Sequence, residues 1–228
     1  ELTLRGTPLQ TRTSSWDVVT NFTRARGTVL SLPEDLPEAY NSDTWLYGNV
    51  RNGTRAGAST MALTGRFYLR NNAGELLIDP TSGLPLISPD FIDAGYDRQP
   101  DFLIGVTNSF RHKRVSLSFL VDIRKGGDVF NGTEHFLTAR GLSMRTLDRE
   151  TPRIIPGVLR DGRENTENPT RNSIVVVPAV NTAFYTGISE ELFIERDINW
   201  FRLRDVTLRY SLPDGCLQTR NASVFITA

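Results

Sequence analysis

The chain has 228 residues, with 26 basic and 26 acidic side chains and a formal net charge of zero. Such a balance gives no electrostatic reason to expect nucleic acid as a partner. One cysteine and two histidines are too few for an internal disulfide or for a metal site built from thiolates and imidazoles. Because no nucleophile–base spacing or phosphate-binding loop stands out either, we predict no metal, no cofactor and no enzymatic activity.

The first predicted elements are two strands joined by a short turn. Leu2 to Leu9 is a candidate strand, and Thr11 to Ser14 is a polar turn. From Trp16 to Thr23, apolar and polar residues alternate with a period of two, which indicates a strand because successive side chains point to opposite faces. Residues 28–100 then form a long irregular stretch, in which Asn71-Asn72-Ala73-Gly74 is predicted to turn a hairpin.

The clearest alternation lies between Asp101 and Gly132 and predicts a second hairpin, linked by the polar residues His112 to Arg114. Each arm has about the length, roughly 9–11 residues, of a tilted strand that crosses the hydrocarbon of a bilayer. One face is apolar and consists of Phe102, Ile104, Val106, Phe110, Val115, Leu117, Phe119, Val121 and Ile123. The other face is mostly polar and consists of Leu103, Gly105, Thr107, Ser109, Arg111, Ser116, Ser118, Leu120, Asp122 and Arg124.

A short helix from Gly132 to Arg140 is predicted after this hairpin. Asn131, with Glu134 three residues later, resembles a capping box, and Gly141 is a suitable stop. Residues 142–197 are polar and rich in Asn, Thr and Pro, so they are predicted to form a long loop region. A loop of this length is unusual in a compact domain and indicates a functional segment.

The last predicted strands are Ile198 to Leu212 and a strand that starts at Ala222. Val206, Leu208, Tyr210 and Leu212 share one face of the first of them. Arg202 and Arg204 fall in the same apolar phase. That is acceptable only if their end of the strand lies above the hydrocarbon or if a bulge shifts the register.

Two interpretations of the alternating strands compete. The first is a soluble β-sandwich, such as a secreted carbohydrate-binding module, with the apolar face in its core. The second is a transmembrane barrel, with the apolar face toward lipid and the polar face toward a wet lumen. The loop lengths favour the barrel, because short links would all lie at one end of the sheet and the stretches Thr28–Pro100 and Lys125–Asp197 at the other, provided that Thr28–Pro100 makes an even number of crossings or none. We also expect a fragment of a longer protein, since the chain begins and ends within alternating runs.

Two stretches, Asn108 to Gly132 and Glu190 to Pro213, resemble late barrel strands and loops of the SusC/RagA class of TonB-dependent outer-membrane transporters. Leu30 to Pro33 and Asn41 to Tyr47 are similar to that class as well. The resemblance covers nearly the whole chain. It implies that residues 1–228 are part of an antiparallel barrel of about 22 strands with a plugged lumen, and that the plug domain, the early strands and the final strands are absent.

The resemblance further implies TonB-dependent uptake of oligosaccharides or peptides across the outer membrane of a Gram-negative, Bacteroidetes-like bacterium. The implied partners are a SusD-like surface lipoprotein, the TonB–ExbB–ExbD complex, the ligand and lipid. The candidate ligand contacts are loop aromatics, whose rings can stack on sugar faces or pack loop against loop: Trp45, Tyr47, Phe184 and Tyr185. The candidate lumen-lining residues are Arg111, Asp122, Arg124, Asp205 and Arg209, which could form a charged ladder.

Overall fold

The computed structural model of the chain describes residues 1–41, 50–213 and 221–228. Its regular structure is mostly antiparallel β-strand with short helices, which confirms the predicted all-β class. The strands, in chain order, are β1 (Leu2–Gln10), β2 (Ser14–Thr23), β3 (Ala39–Asn41), β4 (Arg51–Thr54), β5 (Ala62–Gly65), β6 (Leu77–Ile78), β7 (Ile92–Asp97), β8 (Phe102–His112), β9 (Val115–Lys125), β10 (Val129–Phe130), β11 (Arg153–Ile154), β12 (Val158–Leu159), β13 (Val175–Val176), β14 (Ile194–Glu195), β15 (Trp200–Ser211) and β16 (Ser223–Thr227). The helices are α1 (Gly132–Ala139) and α2 (Ala183–Thr186), with single 3-10 turns at Met144–Thr146, Pro178–Val180 and Glu190–Phe193. No helix in these ranges is long and apolar enough to cross a membrane.

The chain divides into two compact units. The first, called the sheet unit, comprises Glu1–Arg26, Gln99–Gly127 and Asp197–Ala228. The second, called the loop unit, comprises Gly27–Arg98 and Asp128–Arg196. The loop unit is therefore built from the two long stretches that separate the strands of the sheet unit.

The sheet unit is one six-stranded antiparallel sheet with the order β1-β2-β8-β9-β15-β16. The two central strands, β8 and β9, each have 11 residues, and β15 has 12. Only Lys113 and Arg114 separate β8 from β9, and Lys113 adopts a left-handed backbone with φ 51°. The predicted central hairpin is thus confirmed, with a tight turn between its arms.

The connections of this sheet alternate between its two ends. The short links β1–β2, β8–β9 and β15–β16 lie at one end, because each joins antiparallel neighbours directly. β2 pairs directly with β8, and β9 pairs directly with β15, so both long stretches leave and re-enter the sheet at the opposite end. None of the described strands between Thr23 and Phe102 enters this sheet. The stretch Thr28–Pro100 therefore adds no strand to this sheet, and the predicted asymmetry of loop lengths is confirmed.

The loop unit contains the hydrophobic core of the described residues. Its strands form an antiparallel sheet, β3-β4-β5-β7, and three two-stranded pairs: β6 with β12, β10 with β14, and β11 with β13. The buried hydrophobic residues all belong to it: Val50, Ala62, Leu63, Phe67, Tyr68, Leu77, Ile78, Val158, Val176, Phe193 and Ile194. The expectation that these stretches are simply long loops is corrected here. They pack into a unit with its own core.

Local sequence signals in the loop unit act as predicted. Asn131 Oδ1 accepts a hydrogen bond from the Glu134 backbone N–H at 3.0 Å, which caps the start of α1. Gly141 follows the helix with φ 69°, a conformation that glycine adopts without strain. The predicted turn is also confirmed, since the Asn71 N–H donates to the Glu75 carbonyl at 2.9 Å.

Candidate functional site

The strand register gathers apolar side chains on one face of the sheet, which we call the apolar face. Residues paired directly across neighbouring strands share a face, so the register fixes its membership. The apolar face contains Leu2, Leu4, Trp16, Val18, Phe22, Phe102, Ile104, Val106, Phe110, Val115, Leu117, Phe119, Val121, Ile123, Phe201, Leu203, Leu208, Tyr210, Val224 and Ile226.

The apolar face is not covered by a packed layer of described residues. On β15 and β16, Phe201 is 68% exposed, Leu203 60% and Ile226 70%, and the apolar side chains of this face on β2, β8 and β9 are half-buried or exposed. The core side chains of the loop unit are below 10%. A soluble β-sandwich would place such a face in its core. Exposure of apolar area to water costs about 25 cal/mol per Å² relative to an apolar environment. The apolar face would therefore be stabilised by contact with apolar surroundings.

An aromatic cluster lies on the apolar face where β2, β8 and β9 meet. The ring of Trp16 stacks on Phe110 with centroids 5.1 Å apart, and Phe110 stacks on Phe119 at 6.1 Å. Trp16 Nε1–H donates to Asn108 Oδ1 at 3.2 Å. Asn108 is the buried polar residue of this face, and its bond to Trp16 meets the requirement that polar groups in apolar surroundings have partners.

The opposite face, called the polar face, carries four of the candidate lumen-lining residues: Arg111, Asp122, Arg124 and Arg209. Asp122 pairs with Arg202 across β9 and β15, and its Oδ2 lies 3.6 Å from Arg204 Nε. At the other end of β15, Arg209 lies over the ring of Phe225, 5.3 Å from its centroid. The ion pair found here thus joins Asp122 to Arg204, which was not among the five candidates.

A β-bulge in β15 decides which face its arginines occupy. Arg204 pairs with Leu120 and Thr207 pairs with Ser118, so Asp205 and Val206 together stand opposite Phe119. Asp205, the fifth candidate lumen residue, has φ 53° and lies in this bulge without a partner in the register. The extra residue reverses the alternation and places Arg202 and Arg204 on the polar face. The sequence allowed these arginines either if their end of the strand lies above the hydrocarbon or if a bulge shifts the register. The structure contains the bulge.

The loop aromatics have different outcomes. Trp45 and Tyr47 lie outside the described residues. Phe184 and Tyr185 are neighbours in α2, with ring centroids 4.9 Å apart in an edge-to-face arrangement. The Arg153 guanidinium carbon lies 5.7 Å from the Phe184 ring centre. Tyr185 Oη is buried and has no hydrogen-bond partner among the described residues, and burial raises the pKa of Tyr185.

Phe184 lines an open cleft of about 170 Å³ in the loop unit. The cleft is bounded by Tyr68, Leu76, Leu84, Pro85, Ile155, Ala183, Phe184, Gly187, Ile188 and Leu192. Tyr68 carries the only polar side-chain group in this set. Tyr185, although adjacent in sequence to Phe184, does not line it.

Two acidic residues, Glu190 and Glu191, lie close to Tyr68, which lines this cleft. Glu190 is 5% exposed. Glu191 accepts hydrogen bonds from the Tyr68 backbone N–H at 3.0 Å, from Arg70 Nη2 at 2.8 Å and from Tyr96 Oη at 3.3 Å. Burial, reinforced by these carboxylates, raises the pKa of Tyr68. The Tyr68 hydroxyl therefore stays neutral and able to donate near pH 7.

A second buried carboxylate, Glu38, joins strands of the β3-β4-β5-β7 sheet. Its oxygens accept from Arg51 and Thr64, each at 2.5 Å. The Arg51 guanidinium lies between the rings of Tyr40 and Phe91, 3.8 and 3.6 Å from their centroids. Burial raises the pKa of Glu38, but the bonds from Arg51 and Thr64 outweigh it, so the pKa is lowered overall. Within the described ranges, no group of three or more His, Cys, Asp or Glu side chains could hold a metal ion.

Comparison with known proteins gives a fold and no family. No family model and no curated protein matches the chain. Among solved structures, the chain is similar to the RagAB peptide transporter, with 15% identity, a TM-score of 0.53, and coverage of 99% of this chain and 25% of that one. It is equally similar to the RagAB peptide importer in a closed-closed state (15%, 0.53, 99% and 24%) and in an open-open state (15%, 0.52, 98% and 23%). The chain thus has the fold of part of these transporter chains and spans about a quarter of their length.

Proposed function

We propose that this chain forms part of the barrel wall and the extracellular loops of an outer-membrane importer of the SusC/RagA TonB-dependent class. In this proposal the apolar face meets lipid and the polar face meets a plugged, wet lumen. The loop unit corresponds to the long extracellular loops. The proposal assigns no reaction to the chain.

The observation that carries the proposal is the uncovered apolar face on strands of membrane-crossing length. The strands β1, β2, β8, β9 and β15 have between 9 and 12 residues, which matches the roughly 9–11 residues of a tilted transmembrane strand. Short links at one end and long stretches at the other add support, because outer-membrane barrels have short periplasmic turns and longer outer loops.

The proposed cargo is an oligosaccharide or a peptide, taken up together with a SusD-like lipoprotein and driven through TonB–ExbB–ExbD. Support for a transporter with a second component comes from the neighbours, which are named as a RagAB peptide transporter and importer. Cargo, partners and the Bacteroidetes-like outer membrane follow from the resemblance and remain part of the proposal.

Cysteine labelling in whole cells tests this topology. In a Cys216→Ser background, Lys113→Cys places a thiol in the β8–β9 turn, and Met144→Cys places one on the loop unit, where Met144 is 82% exposed. A maleimide coupled to a polymer too large for porins should label the residue-144 cysteine in intact cells. It should label the residue-113 cysteine only after the outer membrane is permeabilised.

Equal labelling of both cysteines in intact cells would overturn the proposed orientation. Recovery of the protein in the soluble fraction, with both cysteines reactive, would restore the soluble carbohydrate-binding sandwich as the better interpretation.

A further inference from the structure

The walls of the cleft lined by Phe184 are held by backbone hydrogen bonds. Leu76 lies on one wall, and its carbonyl accepts from the Val158 N–H at 2.9 Å, next to the parallel pairing of β6 with β12. The wall formed by α2 is closed by the Gly187 N–H, which donates to the Ala183 carbonyl at 2.8 Å. A cleft fixed in this way is largely formed before a ligand arrives, as small-molecule sites usually are.

The cleft walls are apolar yet face solvent. Leu192 is 49% exposed, and Ile155, Phe184 and Ile188 are half-buried. Exposed apolar surface in a concave site is a marker of binding, because an apolar group that enters it removes both surfaces from water.

The walls of the cleft favour an apolar occupant over a sugar. Nine of the ten lining residues carry no polar side-chain group, and the Tyr68 hydroxyl accepts from the buried Ser189 N–H at 3.2 Å. A sugar ring would lose the hydrogen bonds of several hydroxyl groups to water and regain few from such walls.

The size of the cleft limits the occupant further. Its volume of about 170 Å³ is below the roughly 300–1,000 Å³ of sites that hold a whole drug-sized molecule. A single aliphatic or aromatic side chain is an occupant of suitable size and polarity.

We propose that this cleft binds one apolar side chain of an oligopeptide, and thus selects peptides with a leucine-like residue over polar peptides and sugars. The inference rests on the import function proposed above, because it assigns the cleft to the cargo. Ala183, which is exposed at the lip of the cleft, is the position at which a larger side chain would fill it.

The test measures binding of two fluorescent tripeptides, Ala-Leu-Ala and Ala-Ser-Ala, to the protein in outer-membrane vesicles. The leucine peptide should bind about 10-fold more tightly or better, because burial of a leucine side chain contributes about 1.5–3 kcal/mol. Ala183→Phe should abolish this preference, and Leu192→Ser should weaken it. Ala179→Phe makes the same change at an exposed residue that does not line the cleft and should preserve the preference.

Equal binding of the two peptides to the unaltered protein would overturn the inference. It would also be overturned if Ala183→Phe kept the preference, or if maltotriose binding were the property lost in that variant. Hydrogen exchange of the β5 segment, measured on every variant, identifies any loss of the loop-unit fold. If Ala183→Phe does not fold, the peptide preference of Leu192→Ser tests the inference in its place. The cysteine-labelling result is independent, so an importer without this specificity is distinguishable from a protein that is not an importer.

Discussion

Arg204 and Asp122 lie on the same face of neighbouring strands, with Arg204 Nε 3.6 Å from Asp122 Oδ2. Simple alternation along β15 would put Arg204 on the face of Leu208 and Tyr210. The bulge at Asp205 and Val206 reverses that phase and brings the arginine to the carboxylate. The ion pair itself contributes little, since partly exposed pairs are worth about 0–1 kcal/mol. Its value is in showing which face each half of β15 presents.

Deletion of the extra residue in the bulge is expected to preserve the two faces of β15. Without Asp205, Val206 alone would stand opposite Phe119, so Arg202 and Arg204 would stay on the polar face and the strand would alternate without interruption. The folded fraction after refolding into lipid vesicles, measured by the heat-dependent gel shift of barrels, should therefore stay close to that of the unaltered protein.

Two substitutions of Asp205 distinguish the role of its backbone conformation from the role of its carboxylate. Asp205→Asn should fold like the unaltered protein, because asparagine tolerates the observed φ of 53°. Asp205→Val should be destabilised by about 1–3 kcal/mol, since a β-branched residue is strained at that backbone angle. A sharp fall in the folded fraction of the deletion variant would contradict the assignment of Asp205 as the extra residue of the bulge.

The two faces of β15 should respond differently to the same substitution. Leu203→Arg places a charge on the apolar face and should lower the unfolding free energy by about 2–4 kcal/mol if the site is near the bilayer midplane. Thr207→Arg places it on the polar face, where its strand partner is Ser118, and should cost much less. Urea unfolding from lipid vesicles measures both. Equal costs would contradict a lipid-facing role for the apolar face.

Stability of the loop unit should depend on pH through Glu38. Its folded pKa is lowered from the ordinary value of 4.5, so below that pH the unfolded state binds more protons than the folded state. The stabilisation is fully present above about pH 4.5 and is lost as the pH falls through the folded pKa. Glu38→Gln should remove this dependence, whereas Glu34→Gln, at an exposed residue, should keep it. Hydrogen exchange of residues 62–65, corrected for intrinsic rates, is the measurement.

Gly53 is required by the same carboxylate cluster. A Cβ at this position would overlap both Glu38 Oε1 and Thr64 Oγ1. Gly53→Ala should therefore displace Glu38 from Thr64 and reduce hydrogen-exchange protection of β5. Gly6→Ala is the matched control, since a Cβ there meets nothing within 4 Å. Unchanged protection in Gly53→Ala would mean that the cluster can rearrange at no cost.

The strands of the sheet unit were predictable because the polarity of their side chains alternates with a period of two. One face of each strand is apolar and the other is polar, so β2, β8, β9 and β15 could be located to within a few residues. The sequence suggested the bulge only as one of two explanations for Arg202 and Arg204 in the apolar phase. It did not show where along the strand the alternation changes. The structure locates the change at Asp205 and Val206.

The loop unit and its cleft could not be predicted in the same way. Its strands mostly have two to four residues, and β6, β11, β12 and β13 have two each, too few to show any period. Its core forms from contacts far apart in sequence, such as those of Phe67 with Tyr96, and sequence alone does not order such contacts. Glu191 lies in a polar, loop-like stretch of sequence, which gave no sign of the three hydrogen bonds that it accepts. Phe184 was selected for its ring, and its neighbours Leu84 and Ile188 gave no separate signal.

Both long stretches begin and end beside residues that pair with each other. Thr23 pairs with Leu103 where the first leaves and returns, and Arg124 pairs with Trp200 for the second. The sheet therefore holds the two ends of each stretch together. The entropy cost of closing such a loop rises only slowly with its length. In the proposed importer, ligand specificity could therefore change by exchange of whole stretches, while the strands of the sheet unit are conserved separately.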